Sequence, residues 1–526
     1  MSRRVASGSS PERRNVDTIS SDPPSDPSPQ TADPNVSLTP WLIFVFMNGA
    51  CVGSFLNVVV YRLPLGKSIV KPRSFCPKCK HNLAWYDNVP ILGWLWLRGK
   101  CRYCRNPISA QYPLVELATA LLFAGTFISY YFAGWRPGFG DSHPFFGDLQ
   151  HTWLPLIAHL ILVAALFAAT MIDARLFIIP LEIPWTATVV ALILLPAGAL
   201  LSARGLLDPA YSASLEVINL GAGPIASPRW CATALGGAVG LLVAIVLSRR
   251  GILPRSFADA DDYCPTCGQH MGEKFQGEHC PHCRVNLSTG QPTVNGAQSN
   301  AGFALKPWEK KKKKKKGGAR GPGSGGTDDD GQHLHADDSA NSVQVGVNHG
   351  TPAGWLAYPH PRREILKEAL FLLLPVVGMI VGYLLVANPA AAPGLPPSPR
   401  AMYPWHPAIH VAGGVTLGYL VGGGIVWLTR VLGTLGFGKE AMGLGDVHLL
   451  AAVGAVLGPV DAVLAFFIAP FMGLTMVLVL AIVSRLRHGS VRVIPYGPYL
   501  AAAAFLLMVA REPISAIVGR WIGMEL

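Results

Sequence analysis

The sequence predicts an all-α polytopic membrane protein of about ten transmembrane helices with small cytoplasmic zinc-ribbon-like domains. Three observations carry that prediction. Half of the 526 residues are hydrophobic and only 14% are charged, where a soluble chain carries about 25% charged residues. The apolar residues gather into runs close to the roughly 20 that a helix needs to cross a bilayer. The basic residues gather into a few loops spaced so that they all fall on one side of the membrane.

Taken in order, residues 1–39 are rich in Ser, Pro, Asp and Arg without apolar periodicity and read as a disordered tail. The run 41–60 is too long for a signal-peptide core and lacks a small-residue cleavage site, so the segment 40–62 is expected to be a retained first membrane helix. Residues 63–112 form a cysteine-bearing domain. A membrane domain follows over 113–248, with spans at 113–135, 154–171, 179–201 and 231–247. Residues 249–290 read as an inserted zinc ribbon and 291–363 as a disordered basic linker with Gly/Ser stretches and charge blocks. A second membrane domain, 364–526, has spans at 365–386, 410–428, 443–460, 462–484 and 494–509. The stretches 234–246 and 410–426 are loosely alike, both being rich in glycine.

Charge sets the orientation. The loop 62–112 holds ten Lys and Arg, against four in the N-terminal tail. Placing it in the cytoplasm also puts 249–363, 430–442 and 485–492 there, as the positive-inside rule prefers. The net charge of +12 and the lysine run 310–316 then follow from topology, and no specific nucleic-acid partner is expected.

Eight of the ten cysteines form four C-x-x-C pairs. Cys76, Cys79, Cys101 and Cys104 have the pattern C-x2-C-x21-C-x2-C, and Cys264, Cys267, Cys280 and Cys283 the pattern C-x2-C-x12-C-x2-C. Four thiolates close a tetrahedral zinc site with no open position, so two structural Zn2+ ions are expected and no catalytic one. On basic loops in a reducing compartment, metal sites are favoured over disulfides.

Two acids stand out against the apolar runs. The inward-running span that starts at 154 ends at Asp173, and Asp446 opens the apolar run of "GLGDVHLLAAVGAVLG" (443–458). A carboxylate next to hydrocarbon needs a partner or a role, and both acids fall at the cytoplasmic membrane edge. The run after Asp446 has 12 residues, about 18 Å of helix, too short for a 30 Å core. Two converging carboxyl groups share one proton, so one serves as base and the other as acid. Such a pair activates water against a peptide carbonyl without a metal. Gly443 and Gly445 leave room for close backbone approach beside the acid.

Several blocks, in order, give the chain a family likeness: "GSFLNVVVYRLP" (53–64), "WYDNVP", "LRGKCRYC", "QYPLVELATA" (111–120), "IDARLFIIP" (172–180), "GKEAMGLGDVHLLAAVG" (438–454) and "IPYGPYLA" (494–501). With these the chain resembles the type IV prepilin peptidases, G-x-G-D membrane aspartic proteases of the bacterial inner membrane. The resemblance implies that Asp173 and Asp446 are the catalytic pair and that Cys76, Cys79, Cys101 and Cys104 hold zinc. It implies prepilin and pseudopilin substrates, cut after a glycine at the cytoplasmic face of a multi-pass protein in the lipid bilayer. Many members also methylate the new N-terminus with S-adenosylmethionine, and the cysteine domain extends that expectation to this chain. Three positions depart from the family: His448 stands where Lys is usual, Leu181 where Asp or Asn is usual, and the segment between the two aspartates is much longer. A general G-x-G-D intramembrane protease and an inactive zinc-ribbon adaptor are the competing readings.

Overall fold

The computed structural model describes residues 39–71, 73–76, 78–139, 145–203, 224–256, 361–387, 406–438, 440–487 and 495–522. Among them there is no strand; helices α1 (Thr39–Arg62), α2 (Leu92–Trp96), α3 (Gln111–Tyr131), α4 (Phe145–Leu176) and α5 (Glu182–Ala203) come first. They are followed by α6 (Pro228–Arg249), α7 (Pro361–Ala387), α8 (His406–Phe437), α9 (Leu444–Leu457), α10 (Pro459–Arg487), α11 (Gly497–Val509) and α12 (Arg511–Ile522). Cys264, Cys267, Cys280 and Cys283, the expected second ribbon and nearly all of the expected linker lie outside the described residues.

The all-helical membrane class expected from composition holds, with a difference in the count. Among the described residues, eight helices are long and apolar enough to cross a membrane, or nine if the pair α11–α12, bent by 97°, is one span. The remaining expected span is α9, whose 14 residues reach only about 21 Å. Its shortness, read from the sequence, is real.

Helix α9 is apolar on every side, which suits a helix wholly surrounded by protein. It packs against α4, α5, α8, α10 and α11, and every residue from Leu449 to Leu457 is buried. Its closest neighbour is α8. A Cβ placed on Gly418 would stand 1.9 Å from the carbonyl oxygen of Gly454, and one on Gly422 would stand 2.4 Å from that of Leu450. Small residues four apart therefore let the two backbones touch. Helices α6 and α7 use the same device, with Gly236 set against the backbone of Gly378. The loose likeness between 234–246 and 410–426 thus reflects one shared packing requirement.

Successive crossings put the cysteine domain, the α4–α5 turn and the α8–α9 segment on one face of the bundle. The opposite face is closed by a buried ionic cluster. Asp461, at the start of α10, accepts from Arg136 Nη1 at 2.8 Å and pairs with Arg511 Nε at 2.7 Å. All three side chains are buried. Charges at this depth persist because they are paired.

Candidate active site and metal centre

Helix α4 ends at Leu176, and the left-handed Phe177 (φ 56°) turns the chain back, its amide bonding to the Asp173 carbonyl at 2.9 Å. Asp173 thus lies in the last turn of α4, with its side chain 5% exposed. Gly443 is the extended residue preceding α9, so Asp446 lies in that helix's first turn and is half-buried. The two carboxyl groups are close enough to interact electrostatically. The structure brings together the two acids that the sequence singled out.

Two glycines make the convergence possible. A Cβ on Gly445 would stand 2.8 Å from Ile179 Cβ. A Cβ on Gly497 would stand 2.5 Å from Asp173 Oδ2 and 3.1 Å from Ile179 Cδ1. Ile179, two residues after the left-handed turn, is therefore the shared surface on which α9 and α11 both close. The backbone of Gly497 thus lies against the Asp173 carboxyl group, and that of Gly443 lies beside Asp446, where a Cβ would stand 3.7 Å from Oδ2. Tyr496 stands within electrostatic reach of Asp446 and bonds the Phe466 carbonyl at 3.4 Å. The roles of Ile179, Tyr496 and Gly497 were not read from the sequence; the only signal was that they sit in the quoted "IDARLFIIP" and "IPYGPYLA" blocks.

His448 lies two residues beyond Asp446, roughly 200° around the helix. Its Nδ1 is 3.1 Å from the Tyr419 hydroxyl of α8, and its ring is 6.1 Å from that of Trp185. The histidine is tied to the neighbouring helices α5 and α8.

In the domain after α1, Cys76, Cys79, Cys101 and Cys104 come together with all four sulfurs within 4.8 Å of one another. Cys76–Cys104 and Cys79–Cys101 are 3.8 and 4.0 Å apart. A tetrahedron with Zn–S bonds of about 2.3 Å has edges of about 3.8 Å, so the set fits such an ion. The two C-x-x-C pairs form matching knuckles. Cys76 N bonds His81 O and Cys101 N bonds Asn106 O, while Lys80 and Arg105 take the same left-handed conformation. Asn106 is a further contributor that spacing alone did not reveal. Its backbone amide and then its side-chain amide, 3.4 Å from Cys104 Sγ, draw that thiol down to about 6, toward the thiolate a metal needs.

This domain is fastened to the bundle by residues of the quoted blocks. Glu116 of α3 accepts from the Ile91 amide at 2.7 Å, and Arg102 grips the buried Asp87 at 2.6 Å. Gly53 of α1 lets Glu116 come close, since a Cβ there would stand 2.7 Å from Glu116 Cα.

Comparison with known proteins agrees with the likeness read from the sequence. Residues 47–130 match the family model of the Bacterial Peptidase A24 N-terminal domain. The chain is similar to a prepilin leader peptidase/N-methyltransferase of Myxococcus xanthus, 46% identical over 140 residues that cover 27% of this chain and 36% of the relative. A protein of the same name from Klebsiella pneumoniae is 39% identical over 146 residues, 27% of this chain and 55% of the relative. That of Aeromonas hydrophila is 36% identical over 167 residues, 27% of this chain and 51% of the relative. The chain thus spans about a third to just over half of these relatives' length. No solved structure gives a significant match.

Proposed function

We propose that this chain is a membrane aspartic endopeptidase that removes the leader peptide of type 4 prepilins and pseudopilins, with Asp173 and Asp446 as its catalytic residues. The observation that carries the reading is the convergence of these two carboxyl groups at one face of the helix bundle. The names of its relatives supply the substrate class. The basic loops on the same face support a site at the cytoplasmic side of the bacterial inner membrane.

In this mechanism one carboxylate takes a proton from a water, whose oxygen attacks the scissile carbonyl carbon. The protonated partner donates to the carbonyl oxygen. Collapse of the tetrahedral intermediate expels the amine, which takes up the proton gained from water. The half-buried position of Asp446 leaves access for an extended substrate segment, and the exposed Gly443 leaves space beside the acid, while Gly445 is closed against Ile179.

Zinc held by Cys76, Cys79, Cys101 and Cys104 acts as a cross-link for the domain 63–112. A second zinc held by Cys264, Cys267, Cys280 and Cys283 would do the same for 249–290, ahead of a linker over 291–363. N-methylation of the new N-terminus with S-adenosylmethionine is the second activity, supported by the relatives' names and by the cysteine domain.

The test is co-expression of a prepilin with the wild type, Asp173→Ala and Asp446→Ala, with leader removal followed by mass. Cleavage by the wild type alone is expected, with one added methyl group on the mature product. Cleavage that persists in both variants would sink the aspartic mechanism.

A further inference from the structure

Arg430 is among the most deeply buried large side chains, 1% exposed near the end of α8. Its guanidinium grips Glu368 of α7 with two bonds, Nε to Oε2 at 3.0 Å and Nη2 to Oε1 at 3.1 Å. Its remaining nitrogen, Nη1, donates to both the Glu440 carboxylate and the Met442 carbonyl oxygen. Glu368 also accepts from Trp427 Nε1 at 2.8 Å. One arginine thus joins α7, α8 and the segment that leads into α9.

The acceptor at Met442 matters because of the bond that follows it. The Met442 carbonyl and the Gly443 amide belong to one planar peptide unit. Arg430 holds the oxygen of that unit, and Gly443 carries its nitrogen. Gly443 is also close in space, since a Cβ there would stand 3.7 Å from Asp446 Oδ2. Turning the peptide plane would therefore shift the backbone that borders the acid. A second tie in the same segment runs from the Ala441 amide to Thr434 Oγ1 at 3.2 Å.

We propose that Arg430, anchored by Glu368 of α7, is the positioning residue that sets Asp446 through the Met442–Gly443 peptide. This rests on the aspartic-peptidase reading above. It gives α7, a helix that lies between the two aspartates in sequence, a direct mechanical hold on the site. Bidentate pairing also explains why arginine is present: a lysine ammonium cannot hold Glu368 in a fixed plane and reach the other acceptors in set directions.

The test compares Glu368→Gln, Arg430→Lys and the neutral double variant Glu368→Gln/Arg430→Gln in full-length protein. The double variant removes both charges of the grip, so that neither is stranded. Two readouts are taken, prepilin cleavage kinetics and hydrogen exchange of residues 442–447. Each variant is expected to lower kcat by about tenfold or more with KM nearly unchanged, because misplacement of a catalytic group by about an ångström has effects of that size. Exchange at 442–447 should rise by about tenfold while 450–457 keeps its protection. Arg430→Lys should fall between wild type and the double variant. Unchanged kcat and unchanged local exchange in folded variants would overturn the proposal, as would a rise spread evenly through the bundle. If the wild type cleaves no prepilin, the peptidase reading fails, and local exchange still decides the positioning role.

Discussion

The backbone at Gly497 lies directly against the Asp173 carboxylate: a Cβ at that position would stand 2.5 Å from Oδ2. Gly497 opens α11 beside Ile179, while Asp173 is anchored in the last turn of α4. Gly497 has no left-handed backbone requirement, so a methyl group there acts through space alone, by pushing the Asp173 carboxyl group out of place. Gly497→Ala is expected to reduce cleavage by at least about a hundredfold, with a far smaller effect on thermal unfolding. Paired turnover and melting measurements check this.

Removing either carboxylate charge should separate function from stability. Asp173→Asn and Asp446→Asn are expected to abolish cleavage and to leave the melting temperature unchanged or raised, since burying one carboxylate beside a second carboxyl group opposes folding. A lowered melting temperature in both would mean that the acids serve the fold.

The metal centre is expected to be structural. Cys101→Ser should lower bound zinc by one equivalent and expose 73–107 to protease, because the knuckles are otherwise held by few hydrogen bonds. Acidification should release the metal, since protons compete for the four thiolates. Metal analysis and limited proteolysis across a pH series read both effects.

At the opposite face, Asp461→Ala would leave Arg136 and Arg511 buried without their shared carboxylate. Losses of about 3–5 kcal/mol are typical when one partner of such a cluster is removed. Unfolding in detergent should show a drop of that size, and folded protein that remains should keep its cleavage rate, because the cluster touches neither aspartate.

Which parts of this site were legible in the sequence follows from physics. Asp173 and Asp446 stood out because a carboxylate beside hydrocarbon is conspicuous, and the shortness of α9 could be counted. Gly497 did not stand out, since a glycine announces only that something approaches, not what. Arg430 was misleading: it read as part of a basic loop over 430–442, whereas α8 runs on to Phe437 and buries it. Its partner Glu368 lies on another helix, and no local pattern pairs them. His448 sat in a family motif position, yet its partners Tyr419 and Trp185 are on α8 and α5.

Helix α9 bears on how such a protein is made. Its 14 residues are too few to span the bilayer core of about 30 Å, and protein covers those from Leu449 to Leu457 on all sides. During synthesis it emerges after α8 and before α10 and α11, two of the helices that enclose it. A nascent chain halted between Asp446 and Gly497 therefore has both acids but no finished pocket. The two acids are enclosed only once α10 and α11 have followed α9, so the pocket around them is among the last parts of the bundle to form.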